Sequence, residues 1–460
     1  MQENTPAIKF TISGLRGVWG ENLNETVARE YISAFAVFLQ RRTTSPQPSP
    51  DKERERPKIL IGNDARKSGP IIKSIAIEIL TKASFDIIDT GLTPTPTVLF
   101  LVRTLGLDGA IMLTASHNPP EYNGIKFITN KALFTSAQEV VEIQSYLGQE
   151  YTTGQTGRVY TDETLTRKHI NHILTHVDVE LIKSKKFTVV LDAINSVGSF
   201  MGPRLLEALG CTVTTLNATP DGNFAHTPET LPKNLTELGE KVLDTKADIG
   251  FALDPDGDRL VVCDETGTVV FEEYTLSLAI NAVLKKTPGD IVTNLSTTNT
   301  NKDLVEKVGF KNYRTKVGEA HVVEGITKHH AVIGGEGGGG VIYPKVNLAR
   351  DGFVGMALIL ESLALEQKPV SQIIDSFSKY IFIKEKMPFS GDLSTAIQKV
   401  IALFPDGTAD IQDGLRIDFT DSSWIQLRAS NTEPIIRIYT EGKDRESIVE
   451  KVEKVKELLK

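Results

Sequence analysis

Cysteine is scarce in this sequence, with only Cys211 and Cys263 among 460 residues. The two are far apart in the chain, and each lies beside apolar residues. They therefore offer neither a disulfide framework nor a cysteine metal site. We expect both to be reduced core residues of a cytoplasmic protein.

An excess of positive charge is also missing, since 51 Lys and Arg against 59 Asp and Glu give a formal net charge of -8. That balance argues against a protein that follows a nucleic-acid backbone, although it leaves a local basic pocket open. The longest apolar stretch, 353–365, is interrupted by Glu361 and is too short to span a bilayer. Residues 1–9 lack the apolar segment of a signal peptide. We therefore expect no nucleic-acid partner and no membrane partner.

What the chain does have is a recurring strand–loop–helix pattern. Apolar strands at 58–62, 186–192 and 290–295 are each followed by a polar loop that opens a helix. Such units in series are typical of doubly wound α/β domains, and the length suggests about three domains. After Val370, short strands alternate with helices, which predicts a small α+β domain with an antiparallel sheet. Residues 43–57, rich in Pro, Ser and charge, indicate a surface insertion without function.

The loop that begins at Thr114 is the first candidate site. It follows an apolar run, 109–113, that predicts a buried strand, and Asn-Pro and Asn-Gly pairs within it predict two turns. Open α/β sheets place ligands at the carboxyl ends of their strands. We therefore hypothesise that the hydroxyl of Ser116 carries a phosphoryl group and transfers it. The alternative is a serine that only satisfies turn backbone, and on this stretch alone that alternative is the better supported.

Three aspartates at alternate positions, Asp254, Asp256 and Asp258, follow a second predicted strand. In an extended segment they would point to one side, and their hard oxygens would suit Mg²⁺. A calcium EF-hand ending at Glu265 is excluded, because Arg259 occupies the position that requires glycine and a strand follows in place of a helix. A hairpin tip with solvated acids is the remaining alternative, and the divalent-metal interpretation is favoured over it.

Two glycine-containing stretches could bring backbone close to a ligand. The run 334–340 lies between apolar strands and holds Glu336, which could accept hydrogen bonds from sugar hydroxyls. A flexible hairpin is the alternative. The stretch 13–17 places Arg16 between two glycines, where its guanidinium could bind phosphate, and a tight turn with an exposed arginine is the alternative.

A turn at 428–434 is rich in groups that bind phosphate. Arginines, hydroxyls, an amide and turn N–H groups together favour a nest for a phosphate dianion. The residues concerned are Arg428, Ser430, Asn431, Thr432 and, just beyond the turn, Arg437. Lys316, before a predicted helix, is a further candidate cation, with a surface lysine as the alternative.

Three histidines, His169, His172 and His176, fall on one face of a predicted helix at 162–177. The last two have the spacing of a zinc pair. No obvious third ligand lies nearby, and a polar stripe is the favoured interpretation over zinc.

Taken in order, these motifs resemble the alpha-D-phosphohexomutase family, and the resemblance covers essentially the whole chain. The sequences that carry it are TASHNPPEYNGIK from Thr114, DPDGDR from Asp254 and RASNTEPIIR from Arg428, supported by SGLRG, TKVGE and GGEG. Within the family, these sequences most resemble those of phosphoglucosamine mutase-type and archaeal-type phosphoglucomutase/phosphomannomutase members.

The resemblance implies an α/β fold of three consecutive doubly wound α/β domains plus a C-terminal α+β domain around a central cleft. The corresponding bounds are 1–152, 153–254, 255–370 and 371–460. It implies Mg²⁺ held by Asp254, Asp256, Asp258 and the phosphorylated Ser116. The implied reaction-centre residues are Ser116, Lys126, Arg16, Arg259 and Lys316. The implied substrate-binding residues are His117, Glu336, Gly338, Arg428, Ser430, Asn431, Thr432 and Arg437.

The expected activity is interconversion of hexose or hexosamine 6-phosphate and 1-phosphate through a phosphoserine enzyme and a 1,6-bisphosphate, which also serves as activator. Phosphoglucosamine mutase is the leading expectation, and phosphoglucomutase/phosphomannomutase specificity is the alternative. A Mg²⁺-dependent sugar phosphatase and a non-catalytic sugar-phosphate-binding protein are kept as rivals. Gly338 stands where the family often has Ser or Asn, and Gly340 stands where many members have His. The preferred sugar and the identity of a second proton-transfer group are therefore left open. The partner is a small-molecule sugar phosphate, and the protein is expected to be a monomer or homodimer.

Overall fold

A seven-stranded mixed sheet organises the N-terminal part of the chain. The computed structural model describes residues 8–43, 56–429 and 435–459, so the predicted insertion at 43–57 lies mostly outside the described residues. The strand order is β1-β2-β6-β5-β3-β4-β7. The strands are β1 (Lys9–Thr11), β2 (Gly14–Val18), β3 (Lys58–Asn63), β4 (Asp86–Leu92), β5 (Gly109–Leu113), β6 (Tyr122–Thr129) and β7 (Val159–Thr161), and the helices are α1 (Glu25–Thr43), α2 (Gly69–Lys82), α3 (Thr95–Leu105) and α4 (Ala137–Gln144).

The second sheet has four strands in the order β11-β10-β8-β9. Its elements are α5 (Thr166–Leu174), α6 (Val179–Lys185), β8 (Thr188–Asp192), α7 (Gly198–Ala208), β9 (Thr212–Leu216), α8 (Thr236–Thr245), β10 (Ile249–Leu253) and β11 (Leu260–Cys263).

The remaining elements form a third sheet, with the strand order β13-β12-β14-β15, and an antiparallel C-terminal sheet. In the third sheet, β12 is parallel to both β13 and β14. The first comprises α9 (Glu273–Lys286), β12 (Ile291–Asn294), α10 (Asn299–Lys307), β13 (Asn312–Thr315), α11 (Glu319–His329), β14 (Ile333–Glu336), β15 (Gly340–Ile342) and α12 (Gly352–Glu366). The second comprises α13 (Val370–Asp375), β16 (Ile381–Pro388), α14 (Leu393–Leu403), β17 (Thr408–Asp410), β18 (Leu415–Asp418), β19 (Trp424–Ala429), β20 (Ile435–Gly442) and α15 (Arg445–Leu459). The C-terminal sheet has the order β16-β20-β19-β18-β17, so the prediction of an antiparallel α+β domain is confirmed.

The chain divides into two compact units. Unit 1 contains Met1–Thr275 and Gly338–Val370, and unit 2 contains Leu276–Gly337 and Ser371–Lys460. Consecutive α/β sheets followed by an antiparallel sheet confirm the predicted fold class. The four predicted domain boundaries stay a prediction.

The central strands are buried on both faces, as parallel strands covered by helices must be. Every residue of β5 and of β10 is buried. One face of the first sheet packs against α1, where the rings of Phe35 and Phe127 stack with centroids 4.3 Å apart. The apolar run 353–365 is the buried helix α12, capped by Asp351, whose carboxylate accepts from the N–H groups of Phe353 and Val354. Among the helices described, none has the length and apolar character needed to cross a bilayer.

The structure excludes two turns. The tight turn that was the alternative at 13–17 is absent, because Gly14–Val18 is strand β2. The turn predicted at Asn123-Gly124 is wrong, because these residues lie near the start of β6. The glycines in both strands allow close strand approach. A Cβ on Gly14 would lie 2.5 Å from the Ile125 carbonyl oxygen, and one on Gly124 would lie 2.5 Å from the Thr114 carbonyl oxygen.

Candidate active site

Ser116 lies in unit 1, in the loop between β5 and β6. Its side chain is buried, and its φ of 49° puts a non-glycine residue in the left-handed region. The hydroxyl donates to Asp254 Oδ2 at 2.7 Å, and it lies 3.3 Å from His117 Nδ1. The predicted phosphoryl-carrying serine and the first predicted metal ligand are therefore in direct contact.

The aspartates converge through a turn and not through an extended segment, which corrects the predicted geometry. Gly257 has a φ of 71°, and its N–H donates to the Asp254 carbonyl oxygen at 3.0 Å. The turn brings one oxygen from each of Asp254, Asp256 and Asp258 within 4.8 Å of the others, and all three residues are buried.

The donor set fits a hard divalent cation. Asp256 Oδ1 and Asp258 Oδ1 are buried and have no hydrogen-bond partner among the described residues. Buried carboxylate oxygens that lack a donor are costly unless a cation neutralises them. Three oxygen ligands leave open positions for water or phosphate, as Mg²⁺ requires.

Three side chains outside the triad contact the Oδ2 atoms of Asp256 and Asp258. Lys126 Nζ lies 2.7 Å from Asp256 Oδ2, which also accepts from the Thr95 hydroxyl at 2.6 Å. Arg350 Nη2 donates to Asp258 Oδ2 at 2.6 Å. Sequence reasoning named Lys126 but missed Thr95 and Arg350, since their distance along the chain from the triad leaves no local pattern.

The charges in this cluster shift the pKa values of its members. Burial, followed by the charges of Asp256 and Asp258, raises the pKa of Asp254 well above its ordinary value. Burial acts in the same direction on Asp256, but the charge and hydrogen bond of Lys126 outweigh it and hold that pKa below the ordinary range. The cluster thus places a carboxyl that resists ionisation beside one that is fully ionised.

Arg16 and Arg259 bring positive charge to the serine loop, which also carries His117. Arg16 Nη1 donates to the Asn118 side-chain oxygen at 2.8 Å, and burial lowers the pKa of Arg16. Burial also lowers the pKa of His117 to about 2, with Arg259 and Arg16 adding to the effect. His117 is therefore a neutral imidazole at neutral pH, in which one ring nitrogen donates a hydrogen bond and the other accepts one.

Arg259 and Gly338 lie side by side. A Cβ on Gly338 would be 3.7 Å from Arg259 Nη1, and the buried Arg259 Nε has no hydrogen-bond partner among the described residues. An arginine with an unused buried donor next to a residue without a side chain is suited to contact an anionic or hydroxylated ligand.

Arg66 is the main residue that sequence reasoning missed. Its guanidinium is fully buried and donates to the carbonyl oxygens of the serine loop, while Asp64 pairs with its Nε at 3.1 Å. The accepting carbonyls belong to Ser116, Asn118, Pro119 and Tyr122. A usable signal existed, because strands β3 and β5 are parallel neighbours and loops at their carboxyl ends must meet.

In unit 2, the end of strand β14 carries Glu336. Its carboxylate accepts from Asn294 Nδ2 at 2.9 Å and from the Gly318 N–H at 2.7 Å, and it is buried. Gly318 belongs to the predicted Thr-Lys-Val-Gly-Glu segment, where Lys316 is exposed. The predicted sugar-hydroxyl acceptor and the predicted lysine segment are therefore neighbours.

The C-terminal sheet of unit 2 aligns cations across three strands. Arg428 is in register with Arg437, which is in register with Lys386 on the next strand. Directly opposed residues share one face of a sheet, and like charges there are destabilising unless an anion lies between them. Asp413 pairs with Arg428 at 3.1 Å. The predicted phosphate-binding residues Ser430, Asn431 and Thr432 lie outside the described residues.

The histidine stripe does not form a zinc site. His169 is buried and lies 2.9 Å from Asp351, while its other ring nitrogen is 2.9 Å from the Thr97 hydroxyl. Within the described ranges, the aspartate triad is the one group of three or more such side chains that could hold a metal ion.

Comparison with known proteins gives matches along the full chain. Family models described as phosphoglucomutase/phosphomannomutase alpha/beta/alpha domains I, II and III and the C-terminal domain match residues 7–153, 167–267, 272–380 and 386–458. A phosphoglucomutase/phosphomannomutase from Thermococcus kodakarensis is 36% identical over 451 residues, covering 96% of each chain. A probable phosphoglucosamine mutase from Methanopyrus kandleri is 33% identical over 445 residues, covering 95% of this chain and 94% of the other. The crystal structure of a phosphoglucomutase/phosphomannomutase family protein from Burkholderia thailandensis is 26% identical, with a TM-score of 0.85 over 98% of this chain and 96% of that one.

Proposed function

The chain belongs to the alpha-D-phosphohexomutase family, a family of isomerase-class phosphotransferases, and we propose that it interconverts glucosamine 6-phosphate and glucosamine 1-phosphate. The observation that carries a covalent mechanism is the contact between the Ser116 hydroxyl and Asp254 Oδ2 at 2.7 Å, inside a buried triad of carboxylates. A second specificity, for glucose or mannose phosphates, is favoured by the relative named phosphoglucomutase/phosphomannomutase.

In the first half-reaction, phospho-Ser116 transfers its phosphoryl group to the free hydroxyl of the sugar phosphate. The bond from phosphorus to Ser116 Oγ breaks, a bond to the sugar oxygen forms, and the sugar proton is lost as Oγ gains one. The product is a sugar 1,6-bisphosphate. In the second half, Oγ takes the phosphoryl group from the other end, so the enzyme returns to its starting state.

The residues around Ser116 orient these steps and balance their charge. The positive groups of Arg16 and Arg259 face the loop that presents the phosphoryl group, and they supply the electrostatic stabilisation on which phosphoryl transfer depends. Mg²⁺ bound by Asp254, Asp256, Asp258 and the phosphoserine would neutralise charge on the transferring group. Lys126 is the proposed proton-transfer residue, donating to the leaving oxygen in one half-reaction and accepting in its reverse.

Further residues are proposed to make the sugar and distal-phosphate contacts. Glu336 accepts hydrogen bonds from sugar hydroxyls, and Lys316 adds a positive charge from the neighbouring segment. Arg428 and Arg437, with Ser430, Asn431 and Thr432, bind the phosphate that does not react. Gly338 contacts the sugar with backbone alone. The same proposal divides the chain into four domains, 1–152, 153–254, 255–370 and 371–460.

A coupled assay of three 1-phosphate/6-phosphate pairs tests the proposal, using glucosamine, glucose and mannose phosphates with the matching 1,6-bisphosphate as activator. We expect the glucosamine pair to give the highest kcat/KM, and we expect Ser116→Ala to lose nearly all turnover while staying folded. Ser184→Ala is a matched control, because its hydroxyl donates only to the Leu181 carbonyl oxygen within helix α6. Release of free phosphate in place of isomerised sugar phosphate, or turnover of Ser116→Ala near that of the wild type, would exclude the covalent mutase mechanism.

A further inference from the structure

The backbone of Ser116 is held at both of its polar groups. Its N–H donates to Thr114 Oγ1 at 2.9 Å, and its carbonyl oxygen accepts from Arg66 Nη2 at 2.6 Å. These two bonds fix the orientation of the peptide planes on either side of a residue whose φ is 49°. A left-handed conformation at a non-glycine residue persists only where the surroundings over-determine it.

Arg66 uses all of its donors for this loop and for Asp64. Its two Nη atoms donate to the carbonyl oxygens of Ser116, Asn118, Pro119 and Tyr122 at 2.6 to 2.9 Å. Its Nε pairs with Asp64 at 3.1 Å, and its side chain has no exposed surface. A guanidinium is planar and its donors are fixed in direction, so it sets the relative positions of these carbonyls as a rigid template.

Asp64 links the arginine to the threonine. One of its oxygens, Oδ2, accepts from both Arg66 Nε and the Thr114 hydroxyl, the latter at 2.6 Å. Because the hydroxyl proton of Thr114 points at Asp64, a lone pair on Oγ1 is left to receive the Ser116 N–H. A valine at position 114 would have nearly the same shape but could not make this connection.

We propose that Asp64, Arg66 and Thr114 are positioning residues that hold Ser116 in its left-handed conformation and so direct Oγ at the aspartate triad. This inference rests on the proposed phosphoryl-carrying role of Ser116. Among the described residues, none of the three is hydrogen-bonded or ion-paired to the triad, and none of them needs to touch substrate. If φ of Ser116 relaxed to a negative value, Oγ would leave the line between the acceptor oxygen and the metal ligands. Phosphoryl transfer is sensitive to that alignment.

The decisive variants are Thr114→Val and Thr114→Ser. We expect Thr114→Val to lower kcat about 100-fold with KM changed less than about threefold, because misplacement of a reacting atom by about 1 Å costs on that order. Thr114→Ser, which keeps the hydroxyl, should restore kcat to within about fivefold of the wild type. Intact-mass spectrometry should show that 1,6-bisphosphate phosphorylates Ser116 more slowly in Thr114→Val by the same factor as kcat. The affinity for Mn²⁺, measured by calorimetry as a probe of the triad, should be unchanged.

Thr135→Val is the matched control, because Thr135 is buried and its hydroxyl has no hydrogen-bond partner among the described residues. It should keep the wild-type kcat. Arg66→Lys is the second variant. It keeps the positive charge but loses the planar guanidinium that binds several carbonyl oxygens at once, and it should lower kcat as Thr114→Val does.

The possible outcomes are separable. Full kcat in Thr114→Val, or a loss that Thr114→Ser does not repair, overturns the positioning role. If wild-type protein shows no phosphate on Ser116 after treatment with the bisphosphate, the proposed function itself has failed, and the positioning inference falls with it. A loss of kcat in Thr114→Val accompanied by an equal loss in Thr135→Val would show general core damage and would also overturn the inference.

Discussion

The aspartate triad predicts a specific response of stability to divalent metal. At the upper separation of 4.8 Å between ligand atoms, two unit charges repel by about 3.5 kcal/mol at an effective dielectric constant of about 20. Lys126 and Arg350 each neutralise one of the three carboxylates by direct contact. Asp254 is therefore the one carboxylate of the triad whose charge is left for a bound metal to neutralise.

Addition of Mg²⁺ to chelator-treated protein should raise the melting temperature. At about 100 times the dissociation constant, one bound ion stabilises the folded state by about 2.7 kcal/mol. The triad lies in unit 1, which has roughly 300 residues; with an unfolding entropy of about 2.1 cal/mol/K per residue, this corresponds to a shift of about 4 °C. Differential scanning fluorimetry over a range of Mg²⁺ concentrations measures both the shift and the affinity.

The variant Asp254→Asn tests the same reasoning by removing one charge from the triad without changing its shape. Without metal, this variant should melt at or above the temperature of the wild type. Its Mg²⁺-dependent shift in melting temperature should be at most half that of the wild type. Glu265→Gln, at the position where an EF-hand would have its last ligand, should keep the full shift. The reasoning is refuted if Mg²⁺ leaves the wild-type melting temperature unchanged, or if Asp254→Asn responds as the wild type does.

Two further predictions concern backbone geometry and a partly buried histidine. Gly339→Ala should lower the free energy of unfolding in urea by about 3 kcal/mol, because its Cβ would lie 2.0 Å from the Leu260 carbonyl oxygen at a φ of 86°. The control Gly106→Ala, at a φ of 62° with nothing within 4 Å, should lower it by about 1 kcal/mol. Equal losses in the two variants would contradict this account. Burial lowers the pKa of His226, but the hydrogen bond and charge of Asp192 outweigh it and hold that pKa above its ordinary value. The folded protein therefore binds this proton more tightly than the unfolded chain, and the resulting stability is complete below the ordinary pKa of histidine and is lost as pH rises through the raised pKa. His226→Gln should thus lower the melting temperature more at about pH 5.5 than at about pH 8.5, and a pH-independent difference would oppose the assignment.

Much of the fold followed from local patterns. The apolar run 109–113 predicted strand β5 with the bounds that the structure shows. The sequence pattern predicts the C-terminal helix at 446–459, and helix α15 begins one residue earlier, at Arg445. These elements are set by periodicity and burial, which a single sequence carries. Strand β17, at Thr408–Asp410, was missed because its residues are largely exposed and have no apolar alternation.

The site was predictable only where its residues are close in sequence. The three aspartates fall within five positions, so their convergence was expected even though the turn at Gly257 was not. Arg66 and Arg350 act on partners 50 and 92 residues away. Arg66, moreover, binds carbonyl oxygens, which every residue type provides. No spacing of side chains can reveal such contacts; they require knowledge of which loops meet at one edge of a sheet.

That dependence of the serine loop on main-chain oxygens has a practical outcome. Pro120 and Glu121 are exposed, and the guanidinium of Arg66 binds the carbonyl oxygens of their neighbours Pro119 and Tyr122. Randomising these two positions would change exposed side chains of the serine loop, while the four carbonyl oxygens that Arg66 binds would remain. The exposed residues of the serine loop can thus be varied while the contacts that hold its backbone are kept. Directed evolution toward other phosphate esters could begin at these positions.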